Sequence, residues 1–300
     1  MKKNLKTNLI WLAIIAVVYA ILSALIVAGI INAFVAQIIT QIGINLIVAV
    51  GLNLVIGFTG QFSFGSAGFM AIGAYTSAIV TARMAPTWGT IFLSMLIGAI
   101  IAGIVAVIVG YPTLRLKGDY LAIATLGVSE IIRILIMNGG DLTNGAAGLS
   151  GIILFTDWGM TFIFAVVIII LILNFINSPS GRATLSVRED EIASESMGVN
   201  VTRVKVIAFT LGAMVTAIAG SLYAGFIGTV TPKDFTWMKS VDALIIVVLG
   251  GLGSITGTVI AAIILGLLNM FLQDFGAIRM IIYSLVLILV MIFRPGGLLG

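Results

Sequence analysis

The chain has 300 residues, 61% of them hydrophobic and 9% charged, with a net charge of +4 and a mean hydropathy of +1.26. A soluble domain carries roughly a quarter of its residues as charges, so this composition excludes a soluble globular chain and makes lipid the solvent. With no cysteine and no histidine, thiol chemistry, disulfides and the usual zinc or haem ligands are excluded as well, and no metal or cofactor is expected.

In lipid only helices or closed barrels satisfy the backbone. The apolar runs are long and continuous rather than alternating with period two, so helices are expected. The small positive charge is spread over short loops, which reads as an orientation bias and not as nucleic-acid binding.

Lys2, Lys3 and Lys6 precede an apolar stretch from Leu9 to Ile31. A cleaved signal peptide has a shorter apolar core with a small-residue cleavage site close behind it. This stretch is long enough to cross a bilayer core of ~30 Å, and it is read as a retained first helix with the N-terminus in the cytoplasm. Further spans are expected over 38–57, 62–82, 88–111, 119–137, 160–177 and 205–228. This alternation brings Arg115, Lys117, Arg182, Arg188, Arg203 and Lys205 to the cytoplasmic side. It leaves the segment from Asn138 to Trp158, which holds no Lys or Arg, outside.

The tail is apolar from Ser240 to Gln273, interrupted by Gly250-Gly251-Leu252-Gly253-Ser254. An unbroken helix of that length would measure ~50 Å, too long for one crossing. The stretch therefore makes either two crossings or a re-entrant hairpin followed by one crossing. Two crossings place Arg294 in the cytoplasm and are the expected arrangement. The chain as a whole reads as all-α, a single polytopic transmembrane domain over 1–300 with about eight to ten spans, some broken or re-entrant. The glycine- and serine-rich openings at Gly57–Ser66 and Gly250–Gly257 have two readings: broken helices along a transport pathway, or close helix packing through small residues.

The segment 178–205 cannot cross a membrane, because it holds Arg182, Arg188, Arg203 and Lys205 with Glu189, Asp190, Glu191 and Glu195. Ser186 and Glu189 have the spacing of a capping box. The acids Glu189, Asp190 and Glu191 then fall in a first helical turn, where the helix dipole favours them, and Gly198 can end the helix in a left-handed conformation. The pattern predicts a short cytoplasmic helix of about 12 residues, with Leu185, Ile192, Ala193 and Met197 on one side. A solvated connector has no need of such an apolar side, so the helix is expected to dock in a groove on a partner. No run matches a G-x-x-x-x-G-K-[ST] phosphate loop, so energy from a nucleotide would have to come through a separate chain.

Several motifs together resemble the branched-chain amino acid ABC permeases. They are the run from Gly51 through Gly65 with Gly73-Ala74-Tyr75, the segment Gly118 to Leu126, and Arg182 with Arg188 to Glu191. Ser196-Met197-Gly198-Val199-Asn200, Val248 to Ser254, and Arg294-Pro295-Gly296-Gly297-Leu298-Leu299-Gly300 complete the set. The Arg-Glu-Asp-Glu run and Gly118-Asp119-Tyr120 make the resemblance one to the LivM-type subunit rather than its LivH-type partner. The resemblance implies an ABC importer permease fold in a bacterial or archaeal cell membrane. It implies a sister LivH-type permease, two ATP-binding subunits and an extracytoplasmic binding protein that delivers leucine, isoleucine or valine. Related permeases carry urea or short amides. The resemblance also makes Arg188, Glu189, Asp190, Glu191, Glu195, Met197 and Gly198 the element that couples to an ATPase subunit.

Ionisable groups at membrane depth are few. Glu130 and Arg133 stand three apart on one helix face and are read as an intramembrane ion pair. Asp119 stabilises the N-terminus of its span, and Asp242 does likewise after Ser240. Asn53, Gln61, Ser63 and Ser66 can line a pathway without charge or can hold helices together, and both readings stand. Asp141, Thr143, Asn144 and Asp157 in the outer segment are candidates to meet the binding protein. An ion-coupled secondary transporter would need carboxylates or histidines near the midplane, and histidine is absent. No nucleophile–base pair or metal-ligand cluster can be assembled, so no catalytic residue is expected.

Overall fold

The computed structural model describes residues 2–29, 31–84, 87–272, 282, 285, 288 and 296–299, with side chains from residue 15 onward. The apolar runs form helices α1 (Lys2–Val27), α2 (Ala33–Thr59), α3 (Ser66–Arg83), α4 (Trp88–Thr113), α5 (Asp119–Met137) and α6 (Trp158–Asn177). Two short helices follow, α7 (Pro179–Glu189) and α8 (Glu191–Ser196), and then α9 (Val201–Ile227), α10 (Trp237–Gly250) and α11 (Ile255–Phe271). Side chains that compete for backbone hydrogen bonds stand at the helix starts. Asn32, Asp157 and Asn200 accept from Val35, Met160 and Arg203 N–H, which satisfies donors left orphaned at an N-terminus.

Helix α9 runs through the middle of the bundle against α2, α3 and α4. It approaches α3 through Gly73 and Gly220. A Cβ on the first would overlap the Ala217 carbonyl, and one on the second would overlap the Met70 carbonyl. The Ser221 hydroxyl donates to the Gly73 carbonyl across that contact at 3.0 Å. Small residues bring helices close in lipid, where apolar surface alone supplies no drive to associate. At one end of the bundle β1 (Leu149–Ser150) pairs antiparallel with β2 (Thr229–Val230). Tyr75 reaches this end and donates its hydroxyl to the Val230 carbonyl.

Among the described residues, five helices are long and apolar enough to cross a membrane, α2, α4, α5, α6 and α9, and the bent pair α10–α11 can count as a sixth. The sequence leads one to expect about eight to ten. Part of the difference is α3, which carries hydroxyls at Ser66, Tyr75, Thr76, Ser77 and Thr81 yet is buried over most of its length, so that protein surrounds it rather than lipid. The tail beyond Leu272, with Arg294, lies largely outside the described residues.

The expected break at Gly250–Ser254 is present. The chain bends there by 119° between α10 and α11. With 14 residues, α10 is about 21 Å long and does not cross by itself. The bend is thus closer to the re-entrant alternative than to two full crossings. Residues 296–299 return to it: Leu298 N–H donates to the Leu249 carbonyl at 2.9 Å and Leu299 N–H to that of Gly250 at 3.3 Å.

The segment after α6 differs from the expectation of one helix begun by Ser186. Helix α7 starts at Pro179, with Ser178 accepting from Gly181 N–H, and runs through Ser186 to Glu189. Ser186 is therefore interior, and its hydroxyl donates back to the Ala183 carbonyl at 3.0 Å. Asp190 breaks the helix and caps α8, its carboxylate accepting from Ile192 and Ala193 N–H. The expected apolar side divides too. Leu185 packs on the core, while Ile192, Ala193 and Met197 stay exposed.

Candidate functional site

The elbow between α7 and α8 is fixed from beneath. Gly181, Thr184 and Val187 of α7 are buried against the bundle, and α7 packs on α6, α2 and α9. Glu191, the first residue of α8, stands between two lysines from distant parts of the chain. One carboxylate oxygen takes the Lys205 ammonium from the first turn of α9. The other stands 3.5 Å from Nζ of Lys117, in the connection from α4 to α5. The Lys205 side chain is only 6% exposed, so Glu191 neutralises a charge that water hardly reaches. Burial pushes the Glu191 carboxyl up, but the hydrogen bond and charge of Lys205, with Lys117 added, outweigh it and hold the carboxyl below its usual range.

Helix α8 closes as expected of Gly198, which adopts φ +85°. Gly198 N–H donates to the Glu195 carbonyl and Val199 N–H to that of Ser194, the paired bonds of a left-handed helix end. Ile192 and Met197 stand off this rigid elbow, 75% and 85% exposed. Arg188 and Glu189 lie at the tip of α7 with 4.0 Å between Nε and Oε1.

Arg188 extends from the elbow over the bent pair and the end of α2. A Cβ on Gly253 would stand 2.6 Å from its Nη1, and one on Gly60, just past α2, 3.7 Å from its Cγ. Only a residue without a side chain leaves room for the guanidinium over the bend, and Gly253 also takes φ +84°. Asn53 holds the same bend from inside. Its Oδ1 accepts from Gly253 N–H at 2.9 Å, and its Nδ2 donates to the Ser254 carbonyl at 3.1 Å and to the Thr258 hydroxyl at 2.8 Å. Of the two readings open for Asn53, the geometry displays the helix-holding one. Its amide is taken up by the bend.

Between α2 and α3, residues 61–65 are extended, although a span was expected to begin at Phe62. The Phe64 N–H donates to the Thr125 hydroxyl at 3.0 Å. Ser240 bridges the other side: its hydroxyl donates to the Phe64 carbonyl at 2.8 Å and accepts from Ala67 N–H at 2.9 Å. Extended backbone at membrane depth is tolerated where protein satisfies it, and α5 and α10 do so here. Gln61 is 2% exposed, yet among the described residues neither atom of its amide has a partner, and the buried hydroxyls of Ser66 and Ser129 also lack one there. Ser63 accepts from Gly65 N–H. Ser63, Ser66 and Thr216 share a small cavity with Leu52, Val55, Phe69 and Phe209.

Glu130 and Arg133 form the expected pair, Nε donating to Oε2 at 2.7 Å. Asp119 occupies the first turn of α5, as expected. In the segment from Asn138 to Trp158, Thr143 donates to the Ile136 carbonyl, Asn144 to that of Gly148, and Asp157 caps α6, while Asp141 is exposed. Among the described residues no group of acidic side chains could hold a metal ion. Sequence reasoning missed Lys117, Lys205, Thr125 and Ser240 because their partners lie far along the chain. Asp190 alone carried a local signal, an acid able to cap the residues behind it.

The family described as "Branched-chain amino acid transport system / permease component" matches residues 34–294. The chain is 36% identical over 278 residues to the high-affinity branched-chain amino acid transport system permease protein LivM of Salmonella typhimurium, covering 81% of this chain and 64% of that protein. It is 37% identical to LivM of Escherichia coli with the same coverage, so it spans just under two thirds of the length of these relatives. It is also 29% identical to the permease protein LivH of Salmonella typhimurium, covering 81% of this chain and 87% of that one. No solved structure matches the chain. A match over nearly the whole helical bundle, from α2 through the bend that Asn53 holds, places this chain in the branched-chain amino acid permease family, among its LivM-type members.

Proposed function

We propose that this chain is the LivM-type permease subunit of an ATP-driven importer, forming with a sister permease the pathway for leucine, isoleucine and valine. The observation that carries the reading is the elbow. Glu191 joins it to α9 and the α4–α5 connection, Arg188 lies against the end of α2 and the bend, and among the described residues nothing covers Ile192 and Met197. A push on α8 therefore reaches the bent pair and the end of α2 together. In this reading the elbow faces the cytoplasm and docks in a groove on an ATP-binding subunit.

The pathway passes the extended segment before α3, where Gln61, Ser63 and Ser66 offer hydrogen bonds without charge. Such a lining binds an amino acid weakly, and selectivity rests with an extracytoplasmic binding protein that meets the end carrying β1 and β2. Hydrolysis belongs to the separate ATP-binding subunits.

Reconstitution in vesicles tests the assignment. The purified chain alone is expected to hydrolyse no ATP. With a sister permease, two ATP-binding subunits and a leucine-loaded binding protein it is expected to support ATP-dependent leucine uptake. Uptake that proceeds at full rate without ATP or without the binding protein contradicts it.

A further inference from the structure

We infer that the exposed face of α5 is the seam on which a second permease subunit of this same fold packs. The inference rests on the permease reading above and adds where the sister subunit sits. Helix α5 is the least buried of the five full-length spans. Tyr120, Ile123, Gly127, Ile131 and Ile134 follow one another at spacings of three and four, which places them on one stripe. Nothing lies within 4 Å of where a Cβ on Gly127 would be, so a partner backbone can approach there closely.

The ion pair decides what covers the stripe. Arg133 and Glu130 border it with side chains 23% and 24% exposed, and Arg133 uses its Nε–H on Glu130. Its four Nη–H donors find no acceptor among the described residues. Glu130 lies about 10 Å from the end of α5 and Arg133 about 6 Å. An arginine facing lipid so near a helix end extends toward the headgroups. This one is folded back three residues, toward the middle of the span. The surface it meets at that depth must offer hydrogen-bond acceptors, and acyl chains offer none.

A protein helix in the membrane satisfies that condition; a binding protein or an ATP-binding subunit outside the bilayer does not. The chain resembles relatives of two kinds, LivM and LivH, each over most of its own length, so a second subunit sharing this fold fits the seam by kind as well as by chemistry.

A photoreactive benzoylphenylalanine placed at Ile131 in the complete transporter tests the seam. A matched probe at Leu171, 61% exposed on α6, serves as the comparison. The expected result is an adduct between the Ile131 probe and the sister permease, with the Leu171 probe labelling lipid. Lipid labelling alone at Ile131, with the sister permease still co-purifying, overturns the seam; a complex that contains no second permease overturns the reading beneath it. Independently, Gly127→Leu, whose side chain meets open space in the isolated chain, is expected to lower recovery of the sister subunit about tenfold while leaving the melting of the isolated chain within a degree or two. Full recovery with that variant contradicts the inference.

Discussion

Replacing Glu191 with glutamine is expected to destabilise the purified chain and to uncouple transport from ATP hydrolysis, the largest functional effect of any single substitution on the elbow. Glu191 is the one acid joining α8 to both Lys205 and Lys117. Its loss leaves the Lys205 ammonium almost wholly buried, with no other counter-charge among the described residues. Breaking a fully buried pair costs about 3–5 kcal/mol. Glu191 itself is about one third exposed, which screens the pair and reduces the expected cost to about 1–3 kcal/mol.

The same contact predicts a pH dependence. The folded-state carboxyl titrates below its ordinary value, so its contribution is present above the unfolded carboxylate range and fades as pH falls through the lower folded value. Melting curves of the two proteins are therefore expected to differ near neutral pH and to converge only as pH falls below the ordinary carboxylate range and through the lowered folded value. A constant gap across that range contradicts the assignment of the stabilisation to Glu191.

Gly73→Ala and Gly220→Ala are expected to be the most damaging substitutions in the bundle. Each added methyl meets a backbone carbonyl of the opposite helix, Ala217 in one case and Met70 in the other. A carbonyl cannot rotate away as a side chain can, so α3 and α9 must separate, which also stretches the Ser221–Gly73 hydrogen bond. Overpacking of this kind costs about 2–4 kcal/mol. It should lower the unfolding midpoint in detergent by several degrees and reduce the amount of chain inserted in membranes. Gly127→Ala, with open space above it, is the control expected to leave the midpoint of the isolated chain unchanged. Equal losses at Gly127 and Gly73 would show that helix propensity, not close approach, governs these glycines.

The spans were legible where the apolar run and its ends agree. Residues 119–137 were expected and α5 occupies Asp119–Met137; 88–111 was expected and α4 ends at Thr113. The ion pair of Glu130 and Arg133 was legible for the same reason, since helical spacing brings them together. The start of α3 was not. Phe62 and Phe64 make the segment look like the beginning of the next span, and what keeps it extended is Ser240 and Thr125, far away in sequence. The capping of the elbow was misread because Ser186 and Asp190 are both able to cap. Pro179 and Ser178 had already begun a helix that carries Ser186 into its interior. The Lys117–Glu191–Lys205 cluster left no trace in any local pattern, because charge pairing across distant segments has no spacing rule.

Coupling to an ATP-binding subunit requires that α8 face the cytoplasm. Because the chain has no cysteine, a single Met197→Cys places the only thiol on the exposed tip of the elbow. In the assembled transporter a short thiol cross-linker is expected to join this position to an ATP-binding subunit and to stop leucine uptake, while a membrane-impermeant maleimide applied from outside leaves it unlabelled. Labelling of that cysteine from the outside, or uptake that continues unchanged once the cross-link has formed, contradicts the account.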